Sequence, residues 1–322
     1  MTKVGVTIAV PTFRRPRDLA LLLPRLLEQA SRLSTPSDQV YLIRVLVVDN
    51  DPLGSAAEVA AALAESGVAY VREDRAGIAA ARNRAMDESA ADRLLIMIDD
   101  DELPQPRWLE ALLETWGTER AALVAGRVIA HYESDLDPWI AAGDFFTRRN
   151  LATGTEIAVS AGGNLLLDLD QVRRLGIRFD ESLGLSGGED TLFSRQLHAA
   201  GGRMVWCAES IICDRVPESR MSRGWVLRRA RSHGNDDVRV DLMLASTAPH
   251  RMWLRARGLI GGLLRIGLGG GRFVAGMVMT SQRHQARGLR AAMRGTGMIR
   301  GAMGVPYEDY ARPDGVSVDV TS

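Results

Sequence analysis

The stretch LLIMIDDDELP, residues 94–104, decides how this chain folds. Its first five residues form a short apolar run, typical of a strand buried on both faces, and three aspartates, Asp99–Asp101, follow directly. Open α/β sheets bind ligands at the carboxyl ends of their strands, where polar side chains collect. The stretch therefore predicts an α/β sheet with a polar site at one edge.

Upstream of this stretch, short apolar runs alternate with longer segments of helical spacing. The sequence predicts strands at Val4–Val10, Val45–Val48 and Val68–Val71, and helices at Asp18–Ser31, 55–66 and Ile78–Ala91. Alternation of this kind predicts right-handed βαβ units and a mostly parallel, Rossmann-like sheet flanked by helices. Polar clusters follow the first, second and fourth strands, so we expect them to share one edge of the sheet.

Charge divides the chain into two unequal parts. The 322 residues are 46% hydrophobic and 25% charged, as in an ordinary globular protein with a sizeable core. The net charge is zero, yet residues 220–300 carry 16 arginines against three acids. We expect an α/β domain over residues 1–215 and a basic helical region over 216–322. The basic region either meets an anionic partner or is simply solvated.

Three features bear on where the protein is found. The N-terminus has no signal-peptide pattern, and Cys207 and Cys213 are too few for a disulfide framework, which fits a reducing cytoplasm. Gly258–Thr280 is apolar and glycine-rich, but Arg265 and Arg272 disfavour a membrane-spanning helix. We expect this segment either to lie in a membrane interface or to pack on the main domain.

The aspartate triplet carries the first chemical hypothesis. Adjacent carboxylates repel one another unless a cation or hydrogen-bond donors lie between them, and Mg²⁺ and Mn²⁺ prefer oxygen ligands. The pattern predicts that Asp101 binds the metal, while Asp99 contacts the ribose or a metal-bound water. The alternative is a cap for a helix predicted at Trp108–Glu114, since a helix N-terminus favours negative charge.

A second candidate lies at Gly187–Asp190, at the start of a helix predicted over Glu189–Ala200. A carboxylate on such a junction can act as the general base that deprotonates an acceptor hydroxyl, and the glycines allow a substrate to approach closely. Capping of the helix by the same carboxylates is the alternative. Arg82, on the helix after the third strand, either contacts a phosphate or is a solvated residue.

Missing motifs exclude several other chemistries. The sequence has no dinucleotide fingerprint after its first strand, no phosphate-binding loop ending in Gly-Lys-Ser/Thr and no Gly-x-Ser-x-Gly elbow. Its five histidines show no zinc spacing. The basic region offers few aromatic residues for base stacking, so no nucleic-acid partner is expected.

With these residues in place, the sequence resembles the family 2 glycosyltransferases, which have the GT-A fold. Five segments carry the resemblance: VTIAVPTFRRP (6–16), VLVVDND (45–51), GIAAARNRAMD (77–87), LLIMIDDDELPQPRWLEALL (94–113) and GGEDTLFSRQLHAAGG (187–202). Further segments resemble the succinoglycan-type β-glucosyltransferases of bacterial exopolysaccharide assembly: AHYESDLDPWIAAGDFF (130–146), LGLSGGEDTLF (183–193) and VPESRMSRGWVLRRARSHGN (216–235). Cys213 departs from this pattern, because many relatives carry histidine there.

The resemblance implies a metal-dependent, inverting transfer of a hexose, with glucose expected, from a UDP-sugar to a lipid-diphosphate-linked glycan. It implies that Asp190 is the catalytic base and that Asp99 and Asp101 hold Mg²⁺ or Mn²⁺. The nucleotide-sugar-binding residues are then Pro11, Thr12, Arg14, Asp49, Asp51, Arg82, Asp99 and Asp100. Contacts to the acceptor or a phosphate are assigned to Gly188, Glu189, Trp225, Arg228 and Arg229.

The expected partner of the basic region is an anionic membrane surface, with the protein peripheral on the inner, cytoplasmic face of the cell membrane. Arginine side chains match the oxygens of a phosphate group well. The alternative function is a non-catalytic, nucleotide-sugar-binding component of a membrane synthase complex.

Overall fold

The computed structural model describes residues 2–33, 39–184 and 186–306, in which eight strands and ten α-helices are found. The strands are β1 (Thr2–Thr12), β2 (Gln39–Asp49), β3 (Val68–Arg72), β4 (Leu94–Met97), β5 (Glu102–Pro104), β6 (Leu123–Tyr132), β7 (Leu165–Asp168) and β8 (Met204–Val216). The helices are α1 (Pro16–Leu33), α2 (Ala57–Ala61), α3 (Ile78–Glu88), α4 (Trp108–Glu119), α5 (Pro138–Gly143), α6 (Leu169–Leu175), α7 (Glu189–Ala199), α8 (Arg223–Leu244), α9 (Ala248–Val278) and α10 (Gln282–Ala302).

The strands form one sheet in the order β3-β2-β1-β4-β7-β6-β8-β5. Strands β1 to β4 run parallel to one another, as does the pair β6 and β8, whereas β7 and β5 run antiparallel to their neighbours. The predicted mostly parallel sheet flanked by helices is confirmed. Because β1, β2 and β4 are parallel, the polar residues that follow them share one edge.

Helices cover both faces of the sheet, so its central strands are apolar on both sides. Val6 and Ile8 of β1 pack with α1 and α4 on one face, while Ala9 packs with α3 and α7 on the other. Strand β4 is buried at all four positions, which explains its continuous apolar run. This double burial fixes the start of the loop that carries the aspartate triplet.

Two parts of the α/β region differ from the sequence-based expectation. The helix predicted at 55–66 is broken: α2 ends at Ala61, and a separate 3₁₀ turn occupies Ala64–Ser66 before Gly67, whose φ is +96°. The long strands β6 and β8 were not predicted. In β6 four buried residues precede an alternating half, so neither a buried-strand nor a half-buried-strand pattern runs through it.

The predicted arginine-rich helices after residue 220 are confirmed as α8, α9 and α10. Helix α10 packs against both α8 and α9. Glycines let α9 and α10 approach closely, and a Cβ at Gly269 would lie 2.7 Å from backbone atoms of Ala292 and Gly288. In the described chain the main packing partner of α9 is thus α10, a helix of the same basic region, and not the main domain on which one alternative placed Gly258–Thr280.

The opposite face of α9 is apolar and exposed. Its large side chains are Met252, Trp253, Ile260, Leu263, Leu264, Leu268, Val274, Met277 and Val278. In the described part of the chain, no helix combines the length and apolarity needed to cross a membrane. The prediction that this segment lies in a membrane interface stays a prediction.

Candidate active site

A cavity of about 700 Å³ lies at the sheet edge where β1 and β4 end. The loop 159–163, the first turn of α7 and the segment after β8 complete its walls. The predicted site residues that it brings together are Pro11, Thr12, Arg82, Asp99, Asp100, Asp101, Glu189, Asp190 and Arg229. The aspartate triplet and the proposed base therefore share one cavity, although they are about ninety positions apart in the sequence.

Arg82 connects the triplet to the start of α7. Its Nη1 donates to Glu189 Oε1 at 2.6 Å, and its Nη2 lies 3.4 Å from Asp99 Oδ1. Burial raises the pKa of Glu189 to about 7, the charge of Asp190 adds to the rise, and Arg82 opposes it. Arg82 itself is buried, so the alternative of a solvated helical arginine is wrong.

Asp100 and Asp101 are held by groups from other elements. Thr12 Oγ1 donates to Asp100 Oδ2 at 2.7 Å, and Arg15 Nη1 reaches Asp100 Oδ1 at 3.0 Å and Asp101 Oδ2 at 2.6 Å. Arg220 Nη1 lies 3.3 Å from the same Asp101 oxygen. Burial raises the pKa of Asp100 to about 7 against the opposing charge of Arg15.

Glu102 is a further carboxylate of the cavity that the sequence analysis gave no role. Its Oε2 accepts a hydrogen bond from the backbone N–H of Asp99 at 3.0 Å. Burial raises the pKa of Glu102 well above its ordinary value, and the charge of Asp99 adds to the rise. A Cβ at Gly163 would lie 2.7 Å from either oxygen of Glu102 and 3.0 Å from Asp99 Oδ2. Its position directly after the triplet was the signal that could have identified it.

At the N-terminus of α7, the carboxylate of Asp190 accepts hydrogen bonds from two backbone N–H groups. Its Oδ2 accepts from the N–H of Gly162 at 3.0 Å, and its Oδ1 accepts from the N–H of Thr191 at 2.6 Å. The N-cap of α7 is Gly188, with φ +91° and no side-chain capping bond. The carboxylate of Asp190 thus contacts the loop 159–163 through one oxygen and a first-turn N–H of α7 through the other, so the capping alternative holds in part.

The capping alternative for the triplet does not match the structure. Helix α4 begins at Trp108, its N-cap is Arg107, and no side chain caps it. Strand β5 lies between the triplet and that helix. The carboxylates of Asp99–Asp101 face the cavity.

Carboxylate oxygens, the ligand type that hard divalent cations prefer, line the cavity. Enclosure by protein raises the pKa of Asp99 against Arg82, and the charge of Asp101 adds to the rise. A cation between these carboxylates would relieve their repulsion. Among the residues with described positions, no cluster of three or more His, Cys, Asp or Glu side chains could hold a metal ion alone. Mg²⁺ commonly needs only one or two carboxylates beside substrate phosphates.

Three residues predicted to bind the nucleotide lie outside the cavity lining. Asp49 is fully buried, and its carboxylate accepts from the N–H groups of Asp51 and Ala56 and from the Tyr70 hydroxyl. Asp51 is buried and lies 3.5 Å from Arg14, whose own φ is +56°. Asn50, between the two aspartates, lines the cavity instead. The nucleotide roles of Arg14, Asp49 and Asp51 stay predictions.

Three residues predicted to contact the acceptor are also outside the lining. Trp225 stacks on Phe146 with ring centroids 6.0 Å apart, Arg228 is exposed, and Gly188 faces α8. Besides Glu102, the charged lining residues that were given no role in advance are Arg15, Arg148, Arg149, Asp214 and Arg220. Arg148 pairs with Asp214 at 3.3 Å. Isolated arginines carry no spacing signal, so sequence patterns could not select them.

Comparison with known sequences gives a consistent result. A sequence profile described as Glycosyl transferase family 2 matches residues 7–176, and one described as Glycosyl transferase family group 2 matches residues 94–283. The chain is 37% identical over 227 residues to the succinoglycan biosynthesis protein ExoM of Rhizobium meliloti (strain 1021). That alignment covers 70% of this chain and 71% of ExoM.

Solved structures show the same fold. The mannosyltransferase PcManGT from Pyrobaculum calidifontis, in complex with GDP-Man and Mn²⁺, has a TM-score of 0.61 at 17% identity, with 94% of this chain and 88% of that one covered. The S. aureus protein TarS (residues 1–349), in complex with UDP-GlcNAc, has a TM-score of 0.53 at 15% identity, with 94% and 93% covered. The predicted GT-A-like fold is confirmed.

Proposed function

The chain belongs to glycosyl transferase family 2, and from that premise we propose that it is an inverting, metal-dependent hexosyltransferase. The donor is a UDP-sugar, with glucose as the expected sugar, and the acceptor is a lipid-diphosphate-linked glycan of exopolysaccharide or other cell-surface polysaccharide synthesis. One observation carries this proposal: the carboxylates of Asp99–Asp101 and of Asp190 line a single cavity. Nucleotide sugars are the ligands named for the solved relatives PcManGT and TarS.

The proposed chemistry is a single displacement at the anomeric carbon. Asp190 accepts the proton of the acceptor hydroxyl, the acceptor oxygen forms the new bond to that carbon, and the bond to the diphosphate oxygen breaks with release of UDP. Attack from the face opposite the leaving group inverts the configuration and gives a β-glycoside. The backbone N–H groups of Gly162 and Thr191 orient the Asp190 carboxylate toward the cavity.

Asp101 and Asp99 are the residues that would hold a divalent cation. Such an ion supplies positive charge that neutralises the diphosphate as it departs. Asp100 is less suited to this role, because Thr12 and Arg15 already engage its two oxygens. We assign Asp100 to positioning the end of β1, where Pro11 and Thr12 would line the nucleotide pocket.

The base assignment is tested with Asp190→Asn. The amide keeps the shape of the side chain but cannot accept the proton, so transfer should fall by about 100- to 10,000-fold. UDP binding, measured by calorimetry, should stay within about threefold of the wild type. Asp87→Asn, a change at an exposed carboxylate paired with Arg178, is the matched control. Unimpaired turnover of Asp190→Asn would refute the assignment.

The metal assignment is tested by donor binding with and without a chelator. UDP affinity should depend on Mn²⁺ in the wild type and lose most of that dependence in Asp101→Ala, because a ligand of the ion is removed. Donor affinity that is indifferent to the chelator would show that the metal assignment is wrong.

The alternative, a non-catalytic nucleotide-sugar-binding component, uses the same cavity without turnover. Measuring UDP release after incubation with a UDP-sugar and Mn²⁺ distinguishes the two functions, because a transferase hydrolyses its donor slowly even without an acceptor. No UDP release above that of Asp190→Asn, together with tight donor binding, would favour the non-catalytic function.

We also propose that residues 1–215 form the catalytic domain and that the helical region, residues 216–322, associates with an anionic membrane surface. The exposed apolar face of α9 and the arginines of α8–α10 support this proposal, since apolar burial and attraction to anionic lipids act together at interfaces. Leu264→Ser on α9 should weaken binding to anionic vesicles about tenfold. Leu21→Ser, at an equally exposed leucine of α1, should not.

A further inference from the structure

One carboxylate oxygen of the proposed metal ligand is shared by two guanidinium groups. Asp101 Oδ2 lies 2.6 Å from Arg15 Nη1 and 3.3 Å from Arg220 Nη1. The Asp101 side chain is only 18% exposed, whereas those of Arg15 and Arg220 are 36% and 30% exposed. The two arginines therefore compensate the Asp101 charge from the open side of the cavity.

A divalent cation at Asp101 would compete with these arginines. A Mg²⁺–oxygen bond is about 2.1 Å long, so a cation on Oδ2 and two guanidinium groups at hydrogen-bond distance from the same oxygen would repel one another strongly. If the ion binds Asp101 through Oδ2, at least one guanidinium group has to leave that oxygen. The two arginines differ in whether the same nitrogen also contacts a second carboxylate.

Arg15 has a second anchor inside the triplet, because the same nitrogen donates to the buried Asp100 at 3.0 Å. Arg220 instead belongs to a short turn, Glu218–Arg220, between β8 and α8. This turn lies outside the sheet. The displaced group is thus the guanidinium of Arg220, which already lines the cavity.

We propose that Arg220 occupies the place of the cation at Asp101 in the donor-free protein and moves onto the diphosphate of the donor when the cation and nucleotide bind. Arginine is suited to both partners, since its planar fork matches carboxylate and phosphate oxygens alike. This inference rests on the proposed function. It makes Arg220 a donor-binding residue and links the nucleotide site to the first turn of α8, where Ser222 caps the helix.

The test measures two affinities of Arg220→Gln that should change in opposite directions. Removal of the competing charge should tighten binding of Mn²⁺ alone about fivefold, whereas loss of a phosphate contact should weaken binding of UDP in saturating Mn²⁺ about tenfold. Arg223→Gln is the matched control, because Arg223 is exposed and pairs with Asp137. Arg220→Lys should restore most of the UDP affinity.

Two outcomes would overturn the inference. If both affinities fall together in Arg220→Gln, the residue only supports the fold of the site. If neither affinity changes while wild-type UDP binding still requires Mn²⁺, the inference fails and the proposed function stands. Wild-type UDP binding that ignores Mn²⁺ would instead refute the metal-dependent function itself.

Discussion

The α/β region and the helices α8–α10 are stabilised in opposite ways. In the α/β region large apolar side chains point inward, and Trp108, Trp116 and Phe193 are almost completely buried. In the helical region glycines bring backbones together, and the large side chains of α9 point outward. The first region can hold a site because its strands are fixed from both faces. The second exposes the apolar surface that a folded monomer usually covers.

Apolar residues therefore contribute differently to stability in the two regions. Leucines of α1 and β4 supply folding free energy through burial, whereas exposed leucines of α9 supply little of it. The cavity at the edge of the first region is lined by acidic and arginine side chains together, whereas residues 220–300 carry 16 arginines against three acids. Three experiments test this contrast.

The largest effect is expected from a matched pair of leucines. Leu23→Ala, in the core of α1 with 0% exposure, should lower the free energy of unfolding by about 2–5 kcal/mol, because it leaves a cavity. Leu264→Ala, on the exposed face of α9, should change it by less than about 0.5 kcal/mol. Urea denaturation measures both. A large loss for Leu264→Ala would mean that this face is covered in the monomer.

A smaller effect is expected from adjacent glycines of α9. Gly269→Ala places a Cβ 2.7 Å from backbone atoms of α10, so it should destabilise the protein by about 1–3 kcal/mol. Gly270→Ala meets nothing within 4 Å and should stabilise it by up to about 1 kcal/mol through helix propensity. Thermal denaturation followed by circular dichroism compares the two. Equal effects would contradict close backbone packing between α9 and α10.

The smallest effect concerns acid stability of the helical region. Burial lowers the pKa of His233 to about 3, and the charges of Arg229, Arg294, Arg290 and Arg148 lower it further. The unfolded chain takes up this proton near its ordinary pKa of 6.5, so the stability due to neutral His233 is complete above that pH and is lost as the pH falls toward 3. The slope is at most about 1.4 kcal/mol per pH unit.

His233→Gln should therefore flatten the decrease in stability between pH 6.5 and about 5, where most carboxylates of the unfolded chain are still charged. Urea midpoints at several pH values measure the slope. His250→Gln, at the exposed start of α9, is the control and should leave it unchanged. An unaltered slope in His233→Gln would show that burial and the arginine neighbours do not hold His233 neutral.

Much of the fold was predictable because strands that are buried on both faces appear in the sequence as short apolar runs between helical segments. The run before Asp99 and the helical spacing of α1 each reflect a local periodicity. The position of the triplet and of Asp190 at the same edge followed from the topology of parallel strands. Strands β6 and β8 were missed because no regular apolar periodicity marks them in the sequence. They are defined by the strands with which they pair.

The roles of Arg15 and Arg220 in the cavity and the inward-facing position of the Asp49 carboxylate could not be predicted. Arg15 and Arg220 are 205 positions apart, and only the folded chain places both on Asp101. Asp49 is a residue type that often binds ligands. Its carboxylate is instead occupied by three donors, the N–H groups of Asp51 and Ala56 and the hydroxyl group of Tyr70. Side-chain direction at a strand end depends on such local partners.

The contact of Arg82 with both Glu189 and Asp99 constrains how this sequence can change over time. A buried guanidinium group that loses its carboxylate, or a carboxylate that loses its guanidinium group, is left as an uncompensated charge. We therefore expect positions 82 and 189 to co-vary: related sequences that replace the arginine should replace the glutamate as well. Joint replacement of residues 82 and 189 among related sequences would be the evolutionary trace of this ion pair.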